Sequence, residues 1–351
     1  MTGTQDEVAI RYVGEAGGIE ETLARRADIA FSAVDSGQIR GRAPWTVARN
    51  LARMGRGAQQ CSAIIREFKP DVAFITGGYV AAPLAWATSR ARPRVPLLIY
   101  LPDLTPGQAI RFTSRLADVV AVSFPEVAPH FPGKAVVTGY PVRPELRATD
   151  KAAARVALNL RQDLPLLLVF GGSRGSHSIN QALLTALPQL LPICQIVHIS
   201  GQLDWPEIGD SGLRIASSLA AQSGQSEIRY HPFPYLHDEM VQALAAADLV
   251  IARAGASVLG EFPAVGLPSI LVPYPYAGQH QNANAAYLAD RGAALAVPDG
   301  ELASRLAPTV LNLFGEPERL AAMVASAKAL ARPEAAAAIA NKLRQLAGET
   351  A

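Results

Sequence analysis

The sequence predicts an α/β protein made of two doubly wound, parallel-sheet domains, and three observations carry that reading. Short β-branched runs alternate with longer alanine- and leucine-rich stretches along the whole chain, the pattern of parallel strands covered by crossover helices. At roughly 150 residues per domain, 351 residues make two domains. Half of the residues are hydrophobic and 18% are charged, enough apolar side chain for buried sheets and too little charge for a disordered chain.

In chain order, the first half places strands at residues 8–13, 29–34, 72–76, 97–101, 119–123 and 136–138. Each is a short run such as VAFIT, LLIYL or VVAVS. The second half places them at 166–170, 195–200, 228–231, 249–252, 269–272 and 294–297. Helices fill the intervals, among them 46–68, 178–190, 236–247 and 281–291. Gly139-Tyr140-Pro141-Val142-Arg143-Pro144 interrupts the periodicity with a glycine and two prolines and reads as the hinge. The domains are therefore expected at 1–140 and 141–332. A closing helical segment, 333–351, is expected to break from its predecessor before Pro333 and pack back on the first domain.

Composition excludes several classes. A formal charge of +2 is too small for nucleic-acid binding by bulk electrostatics. No apolar run reaches the ~20 residues of a membrane-spanning helix. MTGTQDEVAI lacks the basic and apolar regions of a signal peptide. A soluble cytoplasmic protein follows, with any membrane contact peripheral. Cys61 and Cys194 stand alone in apolar segments and read as buried free thiols. The six histidines are dispersed, so no metal site is expected, and no GxSxG or Cys/His nucleophile signature occurs.

Four motifs can carry chemistry. In LLLVFGGSRGSHSINQALLTAL a strand runs into Gly171-Gly172-Ser173-Arg174-Gly175 and a helix opens. That is either an anion cradle of glycine backbone and helix amides, with Ser173 donating to a phosphate, or a tight turn without ligand. It is neither the GxGxxG nor the Walker spacing. In the second, ARAGASVLGE, Glu261 follows a glycine turn by about one helical turn, where a carboxylate can accept both ribose hydroxyls. Gln279, His280, Gln281, Asn282 and Asn284 add neutral groups suited to sugar hydroxyls, or simply cap a helix. The third, Gly77-Gly78-Tyr79, is a weaker strand-end cradle. The fourth, YLPDLTPG, offers Asp103 as a base or as a turn former.

Together GGSRGSHSIN, TGYPVRPEL, ARAGASVLGE with HQNANA, and TGGYVAAP stand in the order seen in one family. From about Val8 to the last helix, and most firmly over 137–294, the chain resembles the MurG glycosyltransferases. The resemblance implies a GT-B fold, two Rossmann-like domains facing a cleft. It implies transfer of N-acetylglucosamine, with inversion, from UDP-N-acetylglucosamine to a polyprenyl-pyrophosphate-linked muramoyl peptide, at the cytoplasmic face of the membrane and without a cofactor. Carried over by position, Arg143, Gly172, Ser173, the backbone at His237, Ala256, Ser257, Val258, Leu259, Gly260, Glu261, His280, Gln281 and Asn284 would hold the donor. Gly77, Gly78, Tyr79 and Asp103 would lie on the acceptor side.

Two departures bear on the acceptor. Tyr100-Leu101-Pro102-Asp103 stands where the family has a His-Glu-Gln-Asn run. The chain also starts at what corresponds to the family's second strand, without the first strand and the GGTGGH-type loop whose histidine is proposed as base. A misassigned start, a degenerate copy and a strand supplied by another chain are the explanations. Two strand edges without a partner are expected in the first domain, and no base is carried over, which leaves Asp103 as the candidate. The competing functions are a GT-B transferase with another glycolipid acceptor, a catalytically impaired nucleotide-sugar-binding protein and, more distantly, a sugar epimerase. Arg40, Arg42, Arg49, Arg53 and Arg56, with Trp45 and Met54 among them, predict an arginine-rich amphipathic face that would meet an anionic membrane.

Overall fold

The computed structural model describes residues 8–37, 44–78, 80–172, 175–223, 228–276 and 280–348. The chain divides into two compact units, residues 1–138 with 337–351, and residues 139–336.

The first unit contains β1 (Arg11–Gly14), α1 (Ile19–Arg26), β2 (Ala30–Ala33), α2 (Pro44–Phe68), β3 (Ala73–Ile75), α3 (Ala81–Arg90), β4 (Leu97–Leu101), α4 (Gln108–Thr113), β5 (Val119–Val122) and β6 (Ala135–Val137). All strand pairs are parallel, and they form two sheets, β1-β2 and β3-β4-β5-β6. Among the described residues β1 pairs only with β2, and β3 only with β4. No strand among the described residues is hydrogen-bonded to the free side of either. β4 is buried along its whole length.

The second unit contains α5 (Pro144–Ala148), α6 (Lys151–Ala157), β7 (Leu166–Phe170), α7 (His177–Leu190), β8 (Gln195–Ile199), α8 (Trp205–Gln222), β9 (Tyr230–Phe233), α9 (Glu239–Ala246), β10 (Leu249–Arg253), α10 (Val258–Val265), β11 (Ser269–Val272), α11 (His280–Ala289), β12 (Ala294–Ala296), α12 (Leu302–Gly315) and α13 (Pro317–Leu330). Its sheet is parallel throughout, in the order β12-β11-β10-β7-β8-β9. The chain moves outward from β7 through β8 to β9, then returns to β10 on the other side of β7. That reversal creates the switch point at which doubly wound sheets bind ligands. A last helix, α14 (Ala335–Ala347), brings Ile339, Leu343 and Leu346 onto Leu98, Tyr100, Ala121 and Val119 of the first unit's sheet. Their spacing of four and three residues is one helical stripe.

All twelve expected strands form, with ends displaced by up to three residues where pairing with a neighbour sets the limit. The helix expected at 236–247 is shorter, because the His237 amide bonds to the Glu239 carboxylate in a turn that precedes α9. Both cysteines are free and buried, and burial pushes each thiol up to about 12. No helix among the described residues is long and apolar enough to cross a membrane.

One device recurs in both units. Asp118, just before β5, donates its amide to the Leu97 carbonyl, and its carboxylate accepts the Leu97 amide (2.8 Å) and two bonds from Arg94. Asp248, just before β10, does the same to Leu166 (2.6 Å), with Arg155 at 2.6 Å and Lys151 at 2.5 Å. Each fixes a strand's register against its neighbour. Arg155 is almost fully buried and also bonds the carbonyls of Ala246, Gln162 and Leu164. Removing its carboxylate partner strands a buried charge, so Asp248→Ala should cost about 3–5 kcal/mol in denaturant unfolding. Asp118→Ala, whose Arg94 is half-exposed, should cost clearly less.

Candidate functional site

β7 and β10 are parallel neighbours in a register that places Phe170 opposite Ala252, and Arg253 lies opposite Val272 of β11. Three connecting loops therefore leave the sheet side by side, beginning at Gly171, Ala254 and Pro273. The first is the glycine loop. A Cβ at Gly171 would collide with the Ser176 amide, and one at Gly175 with the Ser200 carbonyl. Gly172 and Gly175 also have positive φ, +89° and +77°, where side chains are strained. Ser173, the residue expected to donate from this loop, and Arg174 lie outside the described residues.

A buried polar chain braces this loop. The Asn180 amide nitrogen donates to the Ser200 carbonyl (2.9 Å) and to Asp204 (2.7 Å), so its oxygen accepts from His198 Nε2 (2.9 Å). That fixes the His198 tautomer, and Nδ1 accepts from the Tyr230 hydroxyl (2.7 Å). Burial lowers the His198 pKa to about 3, which keeps the ring neutral.

The second loop is the turn into α10. The amides of Ala256 and Ser257 donate to no acceptor among the described residues, whereas those of Val258, Leu259, Gly260 and Glu261 bond back within the turn. Among the described residues these two N–H groups, at the positive end of a helix, thus have no acceptor. Val258, Leu259 and Gly260 are buried, so only their backbone could meet a ligand. A Cβ on Gly260 would strike the Tyr140 ring, which explains the glycine there. Glu261 lies half-buried with Arg143 Nη2 at 3.7 Å and a hydrogen bond to Ser257. Desolvation raises its pKa above the ordinary carboxylate value, partly opposed by Arg143 and by Ser257.

The third loop carries the amide cluster. Gln281 Oε1 accepts the Tyr274 amide (2.9 Å), and His280 is exposed at the start of α11. Asn284 is buried rather than presented to solvent. Its amide nitrogen bonds the Ala254 carbonyl (3.0 Å) and holds the glycine turn, while its oxygen has no partner among the described residues. Gln279 lies outside the described residues. His237 is exposed beside Tyr235, with ring centroids 4.7 Å apart, and its carbonyl accepts from the Met240 amide.

Sequence reasoning missed Arg253, Asp299 and Ser178, which meet above the ends of β10, β11 and β12. Arg253 Nη1 lies 2.5 Å from Asp299 Oδ1, and Ser178 Oγ bonds both residues, at 2.9 and 2.7 Å. Only the strand order could have revealed this cluster.

In the first unit, Gly77 and Gly78 follow β3 with φ of +119° and +83°. Tyr79 lies outside the described residues. Asp103 is half-buried after β4, and Tyr100 is buried with its hydroxyl 2.7 Å from Ser123 Oγ. Among the described residues no three His, Cys, Asp or Glu side chains converge as metal donors.

Two family models match, the glycosyltransferase family 28 N-terminal domain over residues 4–122 and its C-terminal domain over 166–339. The UDP-N-acetylglucosamine–N-acetylmuramyl-(pentapeptide) pyrophosphoryl-undecaprenol N-acetylglucosamine transferase of Roseiflexus sp. (strain RS-1) is 41% identical, over 95% of this chain and 83% of its own. The enzyme of that name from Desulforudis audaxviator is 39% identical over 96% and 90%. The chain belongs to the MurG family of glycosyltransferases. Among solved structures, Acinetobacter baumannii MurG matches with a TM-score of 0.70 at 25% identity, over 95% of this chain and 90% of its own. The UDP-GlcNAc 2-epimerase of Neisseria meningitidis matches at 0.66 and 13% identity, over 95% and 91%, and shares the fold alone. Membership in the MurG family gives the GT-B fold and glycosyl transfer, and sets aside the epimerase reading.

Glu261 gives the candidate site a pH signature if ribose hydroxyls meet it. Ionised, the Glu261 carboxylate can accept from two hydroxyls at once, whereas protonation turns one of its oxygens into a donor, and its pKa is raised. UDP affinity should therefore fall on acidification while the pH is still above the ordinary carboxylate range. In Glu261→Gln that inflection should vanish, as calorimetric titration across pH will show.

Proposed function

We propose that this enzyme transfers N-acetylglucosamine from UDP-N-acetylglucosamine to lipid I, an undecaprenyl-pyrophosphate-linked N-acetylmuramyl pentapeptide. The second unit holds the donor. The observation that supports this most is the placement of the Ala256 and Ser257 amides, without an acceptor among the described residues, one helical turn before the Glu261 carboxylate, after the strand that neighbours the glycine loop's strand. The amides suit a diphosphate, and the carboxylate suits the two ribose hydroxyls. Arg143 lies near enough to Glu261 to orient it. Gly172 and Ser173 are assigned to the phosphate side, the backbone at His237 to the uracil, and His280 and Gln281 to the sugar. Asn284 is assigned to the sugar side through the turn it holds.

In the reaction the acceptor hydroxyl oxygen bonds to the sugar C1 from the face opposite UDP. Its proton passes to a base, the bond from C1 to the diphosphate oxygen breaks, and the electron pair leaves with UDP. Amides at the helix starts stabilise the charge that develops on the leaving group. The acceptor is assigned to the first unit, at Gly77, Gly78, Tyr79 and Asp103, with Asp103 the candidate base. General base assistance is commonly worth ~10²–10⁴ in rate, so Asp103→Asn should lower kcat by that order if Asp103 holds the role.

UDP-N-acetylglucosamine should raise the melting temperature of the whole chain, and Glu261→Ala should remove most of that shift. Charge-assisted bonds of this kind are worth about 1.5–3 kcal/mol. Transfer to lipid I tests the acceptor. Donor binding without turnover on lipid I would favour another glycolipid acceptor, in keeping with YLPDLTPG, or a non-catalytic role.

We also assign a peripheral membrane contact, at the cytoplasmic face, to the start of α2. Trp45 is 77% exposed and Leu51 53%, with Arg49 exposed between them. Arg53 and Arg56 are engaged instead, Arg53 with Glu15 and Asp35 and Arg56 with Asp35. Arg40 and Arg42 lie outside the described residues. Sedimentation with phosphatidylglycerol vesicles should capture the protein, and Trp45→Ala with Arg49→Glu should release it. Equal capture of both forms would place the contact elsewhere.

A further inference from the structure

The donor site described above leaves one buried ion pair without a role. Arg253, the last residue of β10, is 10% exposed at its side chain, and its partner Asp299 18%. The guanidinium reaches across the end of β11, where Nη1 bonds the carbonyls of Val272 and Pro273, each at 3.3 Å. It continues to Asp299, which follows β12, and Nη2 turns back to Ser178 in the first turn of α7 (2.9 Å). Its Cζ lies 5.4 Å from the centroid of the Tyr274 ring. Four segments that are far apart in sequence thus converge on one planar cation, whose fork of N–H groups can satisfy several acceptors at fixed angles.

What this cation holds is the start of the segment that leads from β11 to α11, whose first turn carries Gln281. The Tyr274 amide can only donate, so the atom it meets on Gln281 is the amide oxygen, at 2.9 Å. The Gln281 side chain is therefore oriented, with its NH₂ end turned away from Tyr274. An amide fixed in this way can distinguish the position of a hydroxyl, whereas one free to rotate adapts to either position.

We propose that Arg253, Asp299 and Ser178 form a positioning network that fixes the Tyr274–Gln281 contact and so sets the enzyme's selectivity between sugars that differ at one hydroxyl. None of the three needs to touch the donor. The proposal rests on the assignment of Gln281 to the sugar.

The test is calorimetric binding to the full-length chain with UDP, UDP-N-acetylglucosamine and its C4 epimer UDP-N-acetylgalactosamine. It requires no turnover. Asp299→Asn keeps the shape of the side chain and removes the charge that locks Arg253. It should reduce the preference for UDP-N-acetylglucosamine by about ten-fold, one well-placed hydroxyl contact, while UDP itself binds within about two-fold of wild type. Gln281→Ala should lose the same preference, and the double variant should lose no more than Gln281→Ala alone. Should Asp299→Asn fail to fold, Ser178→Ala removes one hydroxyl and should show the same selective loss, smaller in size. Loss of UDP affinity in parallel with selectivity would mean a merely structural pair and would overturn the proposal. Unchanged selectivity in Asp299→Asn, with Gln281→Ala selective for its loss, would overturn the network alone. Unchanged selectivity in Gln281→Ala would instead overturn the sugar assignment beneath it.

Discussion

Everything at the candidate site follows from the parallel pairing of β7 with β10. A sheet buried on both faces has no water to satisfy its backbone, so every strand must lie in hydrogen-bonded register with its neighbours. Parallel strands then end together on one side of the sheet. At β7 the chain moves outward in one direction and returns in the other, so the loops after β7 and β10 diverge and leave space above the sheet. The glycine loop, the turn into α10 and the loop after β11 border that space because of strand order, not because of their distance in sequence. The Asp248 carboxylate on the Leu166 amide fixes the same register from the opposite end of the sheet.

Two groups of buried polar side chains inside the second unit reinforce this arrangement through specific partners. Arg155 joins Asp248 to the carbonyls around α6 and α9. Asn180 and His198 link α7, β8 and the segment after it through a chain in which each donor meets one acceptor. Such a network is costly when partly broken and rigid when complete. The Asn180–His198 chain braces the glycine loop, while the Arg155–Asp248 group lies at the opposite end of the sheet. Among the described residues the Ala256 and Ser257 amides, like the buried Asn284 Oδ1 and Ser269 Oγ, have no such partner, and the two amides stand where an anionic ligand would be expected.

The first unit is organised more loosely in its strands. β1-β2 and β3-β4-β5-β6 are separate sheets, and α14 closes the larger of them with one apolar stripe. Its likeness to the second unit extends to the aspartate that precedes an inner strand, Asp118 matching Asp248. Both lie in a short Ala-Asp run before valine- or leucine-rich strands. That internal echo stood in the sequence unread, because an aspartate beside a strand is locally indistinguishable from a loop residue.

Local physics made much of this protein legible in its sequence. β-branched runs gave the twelve strands, since strand preference is a property of a few adjacent residues, and the glycines of residues 171–175 mark a loop whose backbone excludes side chains. The ordered motifs identified the family, and with it the residues around Glu261. Tertiary structure decided which of those residues are exposed at the strand ends and which are buried against their neighbours. Asn284 reads in the sequence as one of a row of amides, and only the fold shows that it is buried with its nitrogen on the Ala254 carbonyl. The meeting of Ser178 with Asp299, 121 positions apart, was likewise invisible in the sequence. A side chain's partners are set by strand order and register, which no local pattern encodes.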